Sequence, residues 1–183
     1  MKTIGHHTCK KEGSKEKVLK EAPYIAEYNY EKDKLQFLGT GYYFWDNNIK
    51  MAQFWGKNHY NNNYYILECD LNLEKPYFID LVGNRGDILY FYKLINTFKK
   101  NDSYDKKWTI GHFIEFLKNK NNEIDGIFPF KAIRAIDFKP TKKKKFIFNF
   151  TRKRNNYTFL NPKIIICLIQ KNNVILQSKR LIE

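Results

Sequence analysis

The sequence predicts an α+β domain, and three observations carry that prediction. Apolar residues recur at helical spacing through the first two-thirds of the chain, while the last third reads as strands. Of the 183 residues, 43% are apolar and 17% aromatic, enough to bury a core. No Pro/Gly/Ser-rich linker and no repeat divides the chain, so residues 1–183 are expected to form a single domain.

Taken in order, residues 1–8 read as a short strand. Residues 11–28 read as helical, with Gly13 and Ser14 near the start and a stripe of Val18, Leu19, Ala22, Ile25 and Ala26. Residues 35–45 look like a strand containing a Gly-x-Gly step. Asp46 is expected to cap a helix through His59, with Ile49, Met51, Ala52, Phe54 and Trp55 apolar. Strands are expected over 64–71 and 77–81. Helices follow over 87–99 (Ile88, Leu89, Tyr92, Ile95, Phe98) and 108–118 (Ile110, Phe113, Ile114, Leu117). Strands are then expected over 124–130, 132–138, 145–150, 157–169 and 174–177. In the third of these, Phe146, Phe148 and Phe150 alternate at period two and share one face.

Cys9, Cys69 and Cys167 are sparse, odd in number and without CxxC spacing, which argues against disulfides and zinc and for a reducing compartment. No metal is expected. The longest apolar run, Ile164 to Ile169, is too short to span a bilayer, and the N-terminus shows no apolar signal region. The expectation is a cytoplasmic protein with no membrane partner.

Charge is uneven. Lys and Arg number 33 against 19 Asp and Glu, a net charge of +14. Between Phe138 and Ile182 stand twelve cations and no acid: Lys139, Lys142, Lys143, Lys144, Lys145, Arg152, Lys153, Arg154, Lys163, Lys171, Lys179 and Arg180. Such a field attracts a polyanion, because each neutralised phosphate releases counterions. The stretch 139–156 is a basic insert with aromatic residues between its charges. Lys142 to Lys145, Arg152, Lys153 and Arg154 are its expected phosphate contacts, and outward Phe rings could stack on unpaired bases. The alternative is a solvated face shaped by a Lys- and Asn-rich composition, with the Phe residues in the core.

The segment Gly39-Thr40-Gly41-Tyr42-Tyr43-Phe44-Trp45 is followed by Asp46, Lys50, Ala52 and Phe54 at offsets of three, seven, nine and eleven from Tyr43. This pattern resembles the ADP-ribosyltransferase superfamily, in its His-Tyr-Glu branch that includes the poly-ADP-ribose polymerases. Departures are Tyr42 at an aliphatic position, and Ile49 and Met51 where small hydroxyl residues are usual. His6-His7-Thr8 resembles the same family's first-strand His-Gly-Ser/Thr, with His7 in place of Gly.

The resemblance implies a split β-sandwich and NAD as substrate. It implies that His6 bonds the adenosine-side ribose, that Thr8 helps hold it, and that the backbone of His7 pairs with the nicotinamide amide. Tyr43 and Phe54 could sandwich the cationic nicotinamide ring. Gly39 and Gly41 would let the backbone, with Tyr42, approach the ligand. The branch's Glu is missing: its position on the late strand is Lys163, and no acid lies between Asp137 and Glu183. Asp125, at the start of an expected strand, is the first substitute, with Glu123 and Glu68 also available. A catalytic set of His6, Tyr43 and Asp125 follows.

The function expected on this resemblance is transfer of ADP-ribose from NAD to nucleic acid, RNA above all, as a toxin or phage-defence effector of the kind that antitoxin proteins hold. Three alternatives stay open. One is a protein-modifying ADP-ribosyltransferase, another a catalytically dead nucleic-acid-binding module. The third is an RNA-cleaving toxin using His6, His7 or His112 as acid and base.

Overall fold

A computed structural model describes residues 1–100, 108–137, 147–149 and 157–182, with backbone alone for 147–149 and 157–159. In chain order the elements are β1 (Lys2–Lys10), α1 (Lys15–Glu21), β2 (Tyr42–Asp46), α2 (Ile49–His59), β3 (Tyr64–Asn72) and β4 (Phe78–Asp80). Then come α3 (Arg85–Lys99), α4 (Ile110–Lys120), β5 (Ala132–Asp137), β6 (Ile147–Asn149), β7 (Tyr157–Phe159), β8 (Lys163–Leu168) and β9 (Leu176–Leu181). The class is α+β, as the order of elements predicts.

Seven strands form one sheet in the order β4-β5-β8-β2-β1-β3-β9, and β6 pairs with β7 as a separate hairpin. All neighbours in the main sheet run antiparallel except β4 and β5. Both faces are covered. Trp45, Ile66, Ile133, Ile165 and Cys167 pack with Ala52 of α2, Phe91 of α3 and Ile114 of α4. Phe44, Leu67, Cys69, Leu71, Ile166 and Leu168 pack with Val18 of α1. That is why Ile164 to Ile169 reads as continuous apolar sequence: alternate residues of β8 enter opposite cores.

Several boundaries move for identifiable reasons. α1 stops at Ala22, far short of residue 28, because the residue before Pro23 is pushed out of the helical region. The strand expected over 35–45 begins only at Tyr42. α2 is capped by Asn48, whose side chain accepts from Met51 N–H at 3.1 Å, and Asp46 is committed elsewhere. Residues 124–130 are not a strand. They continue from α4 in successive turns, with Gly126 at φ +78 and Phe128 N–H held by Asn121 Oδ1 at 2.7 Å. The apolar stretch 157–169 breaks between β7 and β8 at Pro162, which has no N–H to donate to a ladder.

Asp46 instead ends β2 in a buried ion cluster. Its carboxylate takes Thr3 Oγ1 at 2.6 Å and Arg134 Nε at 2.7 Å, and Arg134 Nη1 reaches Asp80 Oδ1 at 3.2 Å. One guanidinium thus ties β2, β4 and β5 together. Removing it strands two carboxylates in a region from which water is largely excluded. Arg134→Met is expected to lower the unfolding free energy by about 3–5 kcal/mol, read by urea denaturation. An unchanged midpoint would show that the cluster does not hold these strands.

Candidate functional site

β1 and β2 share only two residue pairs, Gly5 opposite Asp46 and His6 opposite Trp45. Beyond them the strands part. β1 continues along β3 to Lys10, while Tyr42 to Phe44 pair with β8 alone. A cleft of about 690 Å³ is lined by residues of both strands and of the loops beside them. That volume lies in the range of small-molecule sites. His6, His7, Thr8, Tyr43, Trp45, Trp55 and Asp137 are among its walls.

His6 is buried, with Nε2 3.3 Å from Glu68 Oε2. Glu68 also takes the guanidinium of Arg180 on β9. His6 Nδ1 is buried and has no hydrogen-bond partner among the described residues. Leaving a buried ring nitrogen unpaired costs on the order of 1–3 kcal/mol, so this orphaned atom is a polar irregularity beside the cleft.

His7 points to the opposite face, its ring 5.7 Å from Phe44. Both its nitrogens are engaged. Nδ1 lies 2.9 Å from Tyr43 O, and Nε2 accepts the Tyr24 N–H at 3.2 Å. A carbonyl on one side and an N–H on the other fix the neutral tautomer with its proton on Nδ1. The imidazole thus bridges β1 and β2 where their ladder has ended. Burial drives its pKa down to about 4, only partly opposed by the Tyr43 hydrogen bond.

The backbone of His7 is also spoken for. Ile4 O accepts from Asn47 N, whereas Met1 O accepts from Leu73 N, so even-numbered residues of β1 turn their backbone groups toward β2 and odd-numbered ones toward β3. The backbone groups of His7 therefore turn toward β3, and those of Thr8 face the gap. Thr8 Oγ1 itself is committed to Ala52 O at 2.9 Å.

Tyr43 lines the cleft with its ring and spends its hydroxyl on the preceding loop. Oη donates to Gly39 O at 2.6 Å and accepts from Leu38 N–H at 2.8 Å. Burial, with Cys167 beside it, pushes the phenol well above its ordinary range, so it acts as a wall and a pin. The Gly-x-Gly step serves packing. A side chain on Gly39, at φ +78, would strike Glu115, and one on Gly41 would strike Cys167 Sγ and the Leu168 carbonyl. Thr40 N–H donates to Glu115 Oε1 at 2.6 Å, so α4 clamps the step from behind. Neither glycine lines the cleft, nor does Tyr42, which lies on the other core face under Lys171.

Phe54 is not on the cleft wall either. It is 54% exposed on the outer side of α2, with Lys163 Nζ 5.9 Å from its ring centre. Trp55, the next residue, does line the cleft, with its ring centre 6.2 Å from that of Trp45. The signal was in the helix period: Ala52, buried under Thr8, puts Trp55 and Gly56 on the inner side and Phe54 about 200° around from itself. Asp125 is exposed in the turns after α4, outside the cleft. The sequence reading missed Asp137. It ends β5 directly opposite Lys163 of β8 and lines the cleft, while Lys163 leans away over Phe54. Only the strand register reveals that pairing.

Lys142 to Lys145, Arg152, Lys153 and Arg154 lie outside the described residues. Among the described residues no helix is long and apolar enough to cross a membrane. The three cysteines are free and buried, Cys69 and Cys167 each pushed up to about 12 chiefly by desolvation.

Two outcomes follow. Tyr43→Phe leaves Leu38 N–H and Gly39 O unpartnered, and unfolding is expected to become easier by about 1–3 kcal/mol, with the cleft loop more open to proteolysis. Unchanged stability and cleavage would remove the pin. His7 gives a pH signature. Unfolded, it takes up a proton near 6.5; folded, it resists until about 4. Its contribution is complete above pH 6.5 and is lost as pH falls from 6.5 to 4, on the order of 3 kcal/mol in all. His7→Asn keeps a donor for the Tyr43 carbonyl and cannot titrate. Its melting temperature should therefore fall less between pH 7 and 4.5 than that of the parent, and parallel pH curves would refute the bridge.

Comparison of the chain with protein-family models, with curated proteins and with solved structures finds no match.

Proposed function

We propose that this chain is an NAD-dependent ADP-ribosyltransferase of split-sheet type that moves ADP-ribose onto nucleic acid, RNA before DNA. One observation carries the reading: the His6 and Tyr43 segments, 36 residues apart in sequence at His7 and Tyr43, wall one ligand-sized cleft at the point where two strands part. The cleft's chemistry suits the ligand. His6, with Nε2 on Glu68 and Nδ1 unpaired among the described residues, places a polar ring on the cleft wall beside a ribose, and the Tyr43 and Trp45 rings offer apolar walls for a planar cationic ring. The turned backbone of Thr8 can pair with an amide.

The acid in this reading is Asp137 in place of Asp125. A carboxylate on the cleft wall can stabilise positive charge that grows on a ribose as its nicotinamide leaves. The ammonium of Lys163, which would oppose that charge, rests on Phe54 outside the cleft. A toxin or phage-defence role in the cytoplasm, with an antitoxin partner, rests on the resemblance alone.

NAD should raise the melting temperature of the parent by mass action, and His6→Ala should abolish that shift. With labelled NAD and separate RNA, DNA and protein fractions, label should enter RNA. Asp137→Asn should cut transfer by about a hundredfold or more while the NAD-induced shift persists, the pattern of a transition-state contact. Asp125→Asn should transfer normally. Label in protein alone would change the acceptor, and a shift without any transfer would leave a binding module. No thermal response to NAD would refute the reading.

A further inference from the structure

Among the described residues, α2 leaves part of its surface exposed, and that surface has a consistent chemistry. Lys50, Phe54 and Lys57 stand at spacings of four and three, one stripe on the outward side of the helix, and all three are exposed. Phe54 keeps 54% of its surface open to solvent. A third ammonium, Lys163 from β8, sits 5.9 Å from its ring centre. No Asp or Glu occurs between Asp46 and Glu68, so the helix and the turn after it carry no acid. Next to this stripe, Trp55 stacks on His59 with centroids 3.6 Å apart and planes 12° from parallel. Trp55 is 39% exposed and also lines the cleft, so the aromatic surface runs from solvent to the cleft wall.

Single exposed aromatics are ordinary on protein surfaces. An exposed ring with one ammonium over it and two lysines on its own stripe of an acid-free helix is different. It offers a π-face to a base and cations to the phosphates on either side of it, the combination that binds unpaired strands. A duplex keeps its bases stacked on one another and has none to spare for Phe54. An acidic protein would match the charge but would not need the flat ring.

We infer that the outward face of α2 binds single-stranded nucleic acid, one base stacked on Phe54 and the flanking phosphates held by Lys50, Lys57 and Lys163. Its role as the acceptor track, leading past Trp55 to the cleft, rests on the proposed transfer reaction; the binding surface rests on its own geometry. Phe54 thereby belongs to the acceptor and not to nicotinamide.

The test uses the full chain, a short fluorescein-labelled single-stranded RNA and the matching RNA duplex, with anisotropy as readout and no NAD present. Phe54→Ala should weaken single-strand binding about tenfold and leave duplex binding unchanged. Lys50→Gln with Lys57→Gln should weaken binding and lower the salt slope by roughly two. All these positions are exposed, and circular dichroism checks that each variant folds. The NAD-induced thermal shift should stay at the parent value throughout, so a failed RNA result and a failed NAD result are separable. Parent-level RNA affinity in Phe54→Ala overturns the inference. So does a Phe54→Ala variant whose only change is the loss of a dimer, which would assign the face to a second copy.

Discussion

The two residue pairs joining β1 to β2 set the terms for everything around them. A sheet seven strands wide is held at its middle by Gly5 with Asp46 and His6 with Trp45, and past that point the strands separate. Parted strands expose backbone groups and apolar side chains that must be satisfied in some other way. The imidazole of His7 supplies one bridge, from β1 to the carbonyl of Tyr43. Thr8, through its bond to Ala52, hands part of the exposed edge to α2. What remains open is the cleft. The same constraint explains why the cleft residues come in a run: His6 and His7 are adjacent in sequence and face opposite sides of the sheet, both line the cleft, and His7 also bridges the seam.

Rigidity around the cleft is built from uneven materials. On the β2 side, the ion cluster of Asp46, Arg134 and Asp80 locks three strands, and Tyr43 pins Leu38 and Gly39 through two hydrogen bonds. On the β1 side the holding groups are more exposed to solvent: Arg180, which orients Glu68 behind His6, is largely in water. α1 is held across the sheet by Lys179, whose ammonium donates to the carbonyls of Lys20 and Ala22 at 2.7 and 2.6 Å. Cations at the end of a helix complement its unsatisfied carbonyls. The resulting cleft has one wall held by largely buried ion pairs and one held by a solvent-exposed pair.

How far the sequence could be read follows from which interactions are local. The strongly periodic elements, α3, α4 and β3, were legible because their apolar positions recur at a fixed period. The stripe of α1 continues past its end, because Pro23 outweighs it. Ile124, Ile127 and Phe128 give residues 124–130 the apolar content of a strand, yet Asp125 and Gly126 turn the chain there. In the site, His6 and Tyr43 could be named from their motif. Phe54 and Trp55 could not be told apart without the anchor at Ala52. Asp137 was beyond reach, because its meaning comes from standing opposite Lys163, a neighbour given only by the register of β5 on β8.

That dependence on distant neighbours has a consequence for when the cleft exists. β2 is completed on one side by β1 and on the other by β8, which begins more than a hundred residues later; β1 needs β3, and Asp137 needs β5 beside β8. Pairings of this range pay the full entropy of loop closure before they are rewarded. A fragment holding every motif residue from His6 to Phe54 would thus carry the right letters and no cavity, with β2 left as a bare edge. A chain emerging from synthesis therefore passes through most of its length without the cleft.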